Sequence, residues 1–300
     1  MFALTILGNN SALPAYGRHP TSQVLQIQDE SYLIDCGEGT QEQLSRYKIK
    51  RSKINNIFIS HMHGDHYFGL IGLLTSMGLL GRVTPIHLFA PVQLQQIIQL
   101  QLDAANTVLP FEVLFHALGE EGEIANDKRV SVSTFKVKHR IPCWGFIFTE
   151  RRHPRTIDAD RAKAYGIPTD FYEKLHGAED YITKGGTIIP NEEVTVAAPA
   201  VRVYAYCADT IFDISLAEKL KNVHLLYHEA TYLHEDEVKA GLRFHSTAVQ
   251  AAEIAKHAGV NRLIIGHFSS KYESLDPFLT EATAVFPNTA LAIEGCTFLV

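Results

Sequence analysis

The sequence predicts a mixed α/β (α+β) fold, in which helices lie outside a sandwich of mixed β-sheets. Apolar, β-branched segments of strand length recur between amphipathic, helix-length segments in both halves of the 300-residue chain. Short hairpin turns and longer crossovers both occur, which fits mixed sheets rather than purely parallel ones. Hydrophobic residues make up 46% of the chain, enough to bury a large core.

The first elements are predicted strands at residues 3–7, 24–28 and 32–35. A helix then starts at Thr40, where Thr40 and Gln43 match the spacing of a capping box. The next strand is predicted at residues 54–60 because this segment is apolar and rich in β-branched residues.

Two helices and a strand complete the first half. Residues 69–80 form a predicted buried helix, and Pro91 suits the first turn of another helix that continues to about residue 105. Residues 130–138 alternate between apolar and polar, as a half-buried strand does.

The regular pattern breaks down over residues 151–193, which mix polar and aromatic residues with scattered glycine and proline. We interpret this region as an insertion rather than a second domain, so the prediction is one domain, 1–300, with an inserted arm at 150–193. Alternation resumes at Val194 with predicted strands at 201–206, 223–227 and 262–266. A helix is predicted at 247–258, ended by Gly259.

Composition narrows the class of protein. No segment reads as a signal peptide or a membrane span, so we expect a soluble, cytoplasmic protein without a membrane partner. The four cysteines lie far apart and form no C-x-x-C pair, which favours reduced thiols. The net charge of −6 argues mildly against nucleic acid, although a local cationic surface would suffice for binding.

The strongest motif is the run from His61 to His66, His-Met-His-Gly-Asp-His, directly after a predicted strand. Residues two apart on an extended chain point the same way, so His61 and His63 can bind one ion. Gly64 allows a tight turn that brings Asp65 and His66 toward a second position. Surface histidines before a helix are the alternative, but four ligand-type residues in six favour a metal site.

Three further candidate ligands follow predicted strands. His139, Asp209 and His267 come directly after, or within three residues of, the strands at 130–138, 201–206 and 262–266. A side chain at a strand end can reach over the sheet edge, so these residues can complete a metal pair begun by the histidine motif.

Six motifs together resemble the ribonuclease Z family of the metallo-β-lactamase superfamily. They occur in the order of that family and span residues 30 to 275: Asp35-Cys-Gly-Glu-Gly-Thr-Gln41, His61–His66, His63-Gly-Asp-His-Tyr-Phe-Gly-Leu with Gly72-Leu-Leu, His228-Glu-Ala-Thr231, His245-Ser-Thr247 and His267-Phe-Ser-Ser. The resemblance implies a four-layer αββα metallo-β-lactamase sandwich.

The resemblance also implies roles for the motif residues. One metal would be held by His61, His63 and His139, the second by Asp65, His66 and His267, and Asp209 would bridge them. Two zinc ions per subunit are expected, although these ligands also accept manganese or iron. Asp65 would act as base, and His245, oriented by Glu229, would protonate the leaving group. Taken alone, Glu229 and His245 would favour a structural hydrogen-bonded pair, and the resemblance favours the catalytic role.

Two residues within these motifs have alternative interpretations. Asp35 could hydrogen-bond a ligating histidine or cap its own loop, and His228 could support the site or be a buried histidine, which we favour. The remaining histidines lack ligand-type spacing and are assigned to surface or core: His19, His87, His116, His153, His176, His224, His234 and His257.

The resemblance implies an endoribonuclease that removes the 3′ trailer of precursor tRNA and leaves a 3′-hydroxyl, acting as a homodimer. Two basic clusters could hold RNA: residues 46–53, and the cluster Arg151, Arg152, Arg155, Arg161 and Lys163 in the arm. The arm lies where the family has a tRNA-clamping insertion, but its segment Gly166-Ile-Pro-Thr-Asp-Phe-Tyr172 departs from the family's Gly-Pro-rich tip. Ile211 also stands where the family commonly has arginine.

Two rival functions remain. A small-molecule phosphodiesterase or sulfatase of the same fold is favoured by the acidic net charge and the altered arm. A catalytically silent RNA-binding protein would show a degraded ligand set, whereas all seven ligand types are present here.

Overall fold

Two seven-stranded β-sheets form the centre of the larger unit of this chain. The structure is a computed structural model that describes residues 1–151 and 154–300. Its contacts divide the chain into two compact units, Met1–Thr149 with Arg202–Val300, and Glu150–Val201. Arg152 and His153, assigned above to the arm's basic cluster and to surface or core, lie outside the described residues.

The strands are β1 (Phe2–Gly8), β2 (Ser22–Ile27), β3 (Glu30–Cys36), β4 (Ile54–Phe58), β5 (Ile86–Ala90), β6 (Val113–Ala117), β7 (Gly122–Asn126), β8 (Val130–Val137), β9 (Cys143–Glu150), β10 (Thr156–Ile157), β11 (Tyr181–Ile182), β12 (Ile188–Ile189), β13 (Thr195–Val196), β14 (Val203–Cys207), β15 (Leu225–Glu229), β16 (Arg262–Gly266), β17 (Thr289–Leu291) and β18 (Thr297–Leu299).

The α-helices are α1 (Thr40–Arg46), α2 (Gly64–Tyr67), α3 (Leu70–Leu79), α4 (Gln93–Ala104), α5 (Ala159–Ala164), α6 (Tyr172–His176), α7 (Asn191–Val194), α8 (Leu216–Lys219), α9 (Glu237–Arg243), α10 (Ala248–Ala258) and α11 (Asp276–Val285). Short 3₁₀ turns occupy Arg51–Lys53, Thr169–Phe171 and His234–Asp236.

Both large sheets are mixed. The first has the order β18-β1-β2-β3-β4-β5-β6, with antiparallel pairing from β18 to β3 and parallel pairing from β3 to β6. The second has the order β17-β16-β15-β14-β9-β8-β7, in which β14 to β17 are parallel. The carboxyl ends of β3, β4, β14, β15 and β16 carry the motif residues.

The core is divided into layers. One cluster fills the space between the sheets, where Phe58 packs edge-on against Phe148 at 5.2 Å. The same cluster continues onto the helices that cover the second sheet and includes Ile254 of α10. The other cluster packs the outer face of the first sheet against α1, α3 and α4, and includes Leu33 of β3 and Leu73 of α3. Helices therefore cover both sheets, as the predicted αββα sandwich requires.

The predicted elements of the larger unit are confirmed with shifts of a few residues at their ends, but one detail is wrong. Gly39 precedes α1 in a left-handed conformation and no side chain caps the helix. The Thr40 hydroxyl instead donates to the carbonyl of Gly37, and the Gln43 amide donates to Leu7 and Glu294. Thr40 therefore bonds within its own turn, and long-range partners take only the Gln43 side chain of the predicted capping box.

The smaller unit, Glu150–Val201, has its own small core. It contains the two-stranded pairs β10–β13 and β11–β12 with helices α5 to α7. Its buried residues are Ala162, Ile167, Leu175, Ile189 and Val194. Over the part of the chain that the structure describes, no helix is both long and apolar enough to cross a bilayer.

Candidate metal centre

The histidine motif begins at the carboxyl end of β4 and continues into α2. His61 Nε2 lies 3.0 Å from His63 Nδ1, so these two rings point to one place as predicted. Glycine at residue 64 leaves room for the ring of Phe68, which would lie 2.2 Å from a Cβ at this position. The turn at Gly64 places Asp65 and His66 in the first turn of α2.

A first group of potential ligands consists of His61, His63, His139 and Asp209, whose donor atoms lie within 4.8 Å of one another. His139 follows β8 and brings its Nε2 to 3.1 Å from His63 Nδ1. Its other ring nitrogen lies 2.8 Å from the carbonyl of Phe244, which accepts a hydrogen bond and fixes the ring.

A second group consists of Asp65, His66 and His267. His267 follows β16 with a left-handed φ of 62°, and its Nε2 lies 3.3 Å from His66 Nε2 and 3.4 Å from Asp65 Oδ2. The hydroxyl of Thr231 lies 2.9 Å from its Nδ1 and orients the ring.

Asp209 lies between the two groups and presents one oxygen to each. Its Oδ2 is 3.6 Å from His61 Nε2, while its Oδ1 is 3.4 Å from His66 Nε2 and 3.3 Å from His267 Nε2. Asp209 Oδ1 is buried and makes no hydrogen bond to any residue that the structure describes. A buried carboxylate oxygen without a donor, facing imidazole nitrogens, is a donor set that fits divalent cations.

The structure therefore brings all seven predicted ligand residues together at one edge of the sheets. Burial lowers the pKa of His61, and burial together with the neighbouring His139 lowers the pKa of His63 to about 4. Both rings are thus neutral at physiological pH, the protonation state that binds a metal. Metal binding is supported by this cluster and by the fold.

Asp35 supports the cluster from the end of β3. Its carboxylate accepts a hydrogen bond from His66 Nδ1 at 2.7 Å, and from the backbone and hydroxyl of Ser60 at 2.8 and 2.9 Å. The hydroxyl of Tyr206 donates to the same carboxylate. Of the two interpretations of Asp35, the structure shows the hydrogen bond to a ligand-type histidine, which directs His66 Nε2 at the cluster.

Glu229 and His245 form a hydrogen-bonded pair next to the cluster, with Glu229 Oε1 at 3.0 Å from His245 Nδ1. The buried carboxylate also accepts bonds from the backbone of Thr210, Thr231 and Ser246 and from the Thr231 hydroxyl. Although burial opposes charge on both groups, their mutual attraction raises the pKa of His245 and lowers the pKa of Glu229. Glu229 therefore fixes the His245 ring through Nδ1 and favours its protonated form.

Sequence reasoning missed the contact between the N-terminal loop and Asp65. The backbone amide of Ala12 donates to Asp65 Oδ2 at 2.6 Å, from a left-handed conformation with φ 60°. Although burial opposes ionisation, His66 and His267 lower the pKa of Asp65, so the carboxylate stays charged. No local sequence signal predicts this contact, because it joins residues 53 positions apart.

Apart from His245, no further histidine of the described residues belongs to a ligand group. His228 is fully buried and its Nδ1 lies 2.6 Å from the carbonyl of Glu229, consistent with the buried role that we favoured. His87 and His116 stack on neighbouring strands of the first sheet, with His87 Nδ1 at 3.0 Å from His116 Nε2.

The first basic cluster lies at the start of β4, whereas His61 follows its far end. Within the described part of the chain, no carboxylate forms an ion pair with these cations, which are Arg46, Lys48, Lys50, Arg51 and Lys53. In the arm, Arg161 pairs with Asp158 at 3.4 Å and Arg155 donates to Thr195.

Comparison with known proteins decides the family. The chain is 43% identical over 296 residues to the ribonuclease Z of Bacteroides fragilis, covering 98% of this chain and 97% of that protein. The chain belongs to the ribonuclease Z family. Residues 2–160, just over half of the chain, also match the family model described as anti-Pycsar protein Apyc1, so the chain belongs to that family as well.

Comparison with solved structures gives the same family and fold. Human tRNase Z, short form, superposes with a TM-score of 0.73 at 26% identity, covering 99% of this chain and 98% of that chain. The metallo-β-lactamase-fold protein YhfI of Bacillus subtilis superposes with a TM-score of 0.70 at 18% identity, covering 99% and 98%, and supports the fold alone. The predicted metallo-β-lactamase fold and the predicted enzyme class, a metal-dependent endoribonuclease of the ribonuclease Z family, are therefore confirmed.

Proposed function

We propose that this chain is a zinc-dependent endoribonuclease that removes the 3′ trailer of precursor tRNA and leaves a 3′-hydroxyl on the tRNA. The observation that carries the proposal is the combination of two ligand groups joined by Asp209 with the adjacent Glu229–His245 pair. Family membership supports RNA as the substrate, since the relatives are named ribonuclease Z and tRNase Z.

Two metal ions fit the site. His61, His63 and His139 would hold one, Asp65, His66 and His267 the other, and Asp209 would bridge them through its two oxygens. Ions held there supply Lewis acidity toward a phosphate oxygen and a nucleophilic water at neutral pH. Zinc suits the imidazole-rich ligands, and the same donors accept manganese or iron.

Two side chains of the protein, Asp65 and His245, transfer the protons of the reaction. Asp65, fixed by the Ala12 amide, accepts the proton of the attacking water. His245, held protonated by Glu229, donates a proton from Nε2 to the ribose oxygen that leaves. A cavity of about 290 Å³, whose lining includes Ser11, Asp65 and His245, gives the phosphodiester access to these groups.

Cleavage-site mapping on a 3′-extended tRNA tests this proposal. We expect the wild type to cut near the discriminator base, and bis(p-nitrophenyl) phosphate to be a poorer substrate. Activity on the small ester without cleavage of the tRNA would contradict the proposal and favour the rival small-molecule phosphodiesterase or sulfatase. Metal analysis of the purified protein would identify the ions.

The arm is the proposed tRNA-binding surface outside the metal centre. Lys163 is exposed and forms no ion pair with any residue in the described ranges, so it is available to a phosphate. Strands β9 and β14 pair antiparallel, with Val203 opposite Thr149. Replacing residues 151–201 by a short turn should therefore preserve the sheet while raising KM for precursor tRNA. An unchanged KM would show that the arm does not bind tRNA.

We also propose a homodimer in the cytoplasm. Leu79, Leu80 and Val83 at the end of α3 are 89%, 70% and 72% exposed, which is an unusual concentration of apolar surface. A second copy covering this patch would bury it. Light scattering on the wild type and on Leu80→Glu tests the idea, because a dimer formed here should dissociate in the variant.

A further inference from the structure

Two side chains at the metal centre have no part in the chemistry described above. Phe68 and Arg140 both line the cavity that also contains His63, Asp65, His245 and His267. Each follows a ligand-type residue closely in sequence, Phe68 two positions after His66 and Arg140 directly after His139. Phe68 and Arg140 therefore present an aromatic ring and a cation to the cavity in which the phosphodiester would react.

The ring of Phe68 is held in place although it is exposed. It is 64% exposed, and Gly64 leaves the space that the ring occupies, since a Cβ there would lie 2.2 Å from it. Tyr67 packs against it at 5.0 Å with an interplanar angle of 72°. A ring that is fixed on one side and open on the other is a stacking surface for an unpaired base.

Arg140 is an unpaired cation. It is exposed and forms no hydrogen bond or ion pair with any residue in the ranges that the structure describes. By contrast, Lys138, two positions earlier, pairs with Asp213 at 2.8 Å. The groove beyond Phe68 contains two carboxylates, Glu38 and Glu42, and one cation, Arg51, so its charge is net negative. Charge therefore favours an RNA backbone that runs toward Arg140 rather than into this groove.

We propose that a nucleotide next to the scissile phosphate is held by stacking of its base on Phe68 and by contact of a phosphate with Arg140. The inference rests on the proposed function and adds the means by which the site positions a single-stranded RNA end. Every base presents a ring face, so this contact selects an unpaired nucleotide rather than a sequence.

A cycle of protein and substrate changes tests the stacking. Wild type and Phe68→Ala are compared on a 3′-extended tRNA and on matched substrates with an abasic residue at the position 5′ or 3′ to the cleavage site. Phe68→Ala should lower kcat/KM about 10-fold on the normal substrate, and much less on one of the abasic substrates. Phe68→Trp should restore most of the loss, and Val108→Ala, which changes another exposed apolar residue, should have no effect.

The outcomes separate the two proposals. A wild type that does not cleave the precursor overturns the proposed function, and this inference falls with it. If the wild type is active and Phe68→Ala lowers kcat/KM equally on normal and abasic substrates, the stacking alone is overturned. Phe68→Ala should have the same melting temperature as the wild type. A lower melting temperature would show that the substitution destabilises the fold.

Salt dependence tests Arg140. Arg140→Gln should raise KM and reduce the slope of log(1/KM) against log[salt] by about 0.7 to 1, the value expected for one lost phosphate contact. Lys138→Gln is the matched control, because Lys138 already has a carboxylate partner. An unchanged slope in Arg140→Gln would show that Arg140 does not contact phosphate.

Discussion

Two groups of histidines in this chain differ in their surroundings. At the metal edge, Asp35 fixes His66, and Asp209 faces rings of both ligand groups. At the His87–His116 pair the rings stack 5.2 Å apart, and no carboxylate of the described residues lies within ion-pair distance of either ring. Carboxylates that orient the imidazoles, rather than the number of histidines, distinguish a metal centre from a stacked pair.

The largest expected effect is that of Asp65→Ala, which removes the proposed metal ligand and the proposed proton acceptor. We expect kcat/KM on precursor tRNA to fall at least about 10⁴-fold. Asp103→Ala, which changes an exposed carboxylate on α4, should leave the rate unchanged. An Asp65→Ala enzyme with wild-type activity would contradict the mechanism.

His245→Ala should have the next largest effect, a loss of roughly 10²- to 10⁴-fold on precursor tRNA, with metal content retained. Bis(p-nitrophenyl) phosphate has a leaving group that needs no proton, so its hydrolysis should fall much less. Equal losses on both substrates would indicate a structural role for the Glu229–His245 pair. His257→Ala serves as the control, because His257 is exposed on α10.

Asp35→Asn should act on metal affinity rather than on chemistry. The amide cannot accept the His66 Nδ1 proton as strongly, so metal affinity should fall roughly 10- to 100-fold. Added zinc should restore activity, and Asp29→Asn, at an exposed carboxylate, should change nothing. If excess metal fails to rescue the variant, Asp35 does more than orient His66.

The smallest effect is expected at the stacked pair. The double substitution of His87→Gln and His116→Gln should leave bound metal and kcat/KM unchanged, with the free energy of unfolding altered by no more than about 1 kcal/mol. Metal analysis and urea unfolding are the measurements. A lost metal equivalent would show that carboxylate support is not required for binding.

Local pattern predicts much of the fold. The spacing that predicts a capping box at Thr40 and Gln43 also occurs at Thr247 and Gln250, where the box does form and Gly259 ends the helix with φ 68°. At the first site the Thr40 hydroxyl binds the nearby carbonyl of Gly37, and the Gln43 amide binds the distant Leu7 and Glu294. A short-range motif holds only where no long-range partner competes for its side chains, and the sequence alone does not reveal such partners.

The candidate site likewise contains residues that the sequence predicts and supporting groups that it does not predict. The seven ligand-type residues can be predicted because they follow strands or occur in a compact motif. Groups that support the site come from positions with no chemical signature, such as the backbone amide of Ala12, which binds Asp65, and the hydroxyl of Tyr206, which binds Asp35. These contacts depend on which strands are neighbours in the sheets, and strand order is a property of the whole chain.

The pairing of β1 with β18 has a consequence for refolding. It joins Thr5 to Thr297, 292 positions apart, and the loop that follows β1 carries the amide that fixes Asp65. Chains dominated by such distant contacts fold slowly, since loop closure must precede the stabilising contacts. Recovery of activity after dilution from urea should therefore lag behind the return of helical circular dichroism.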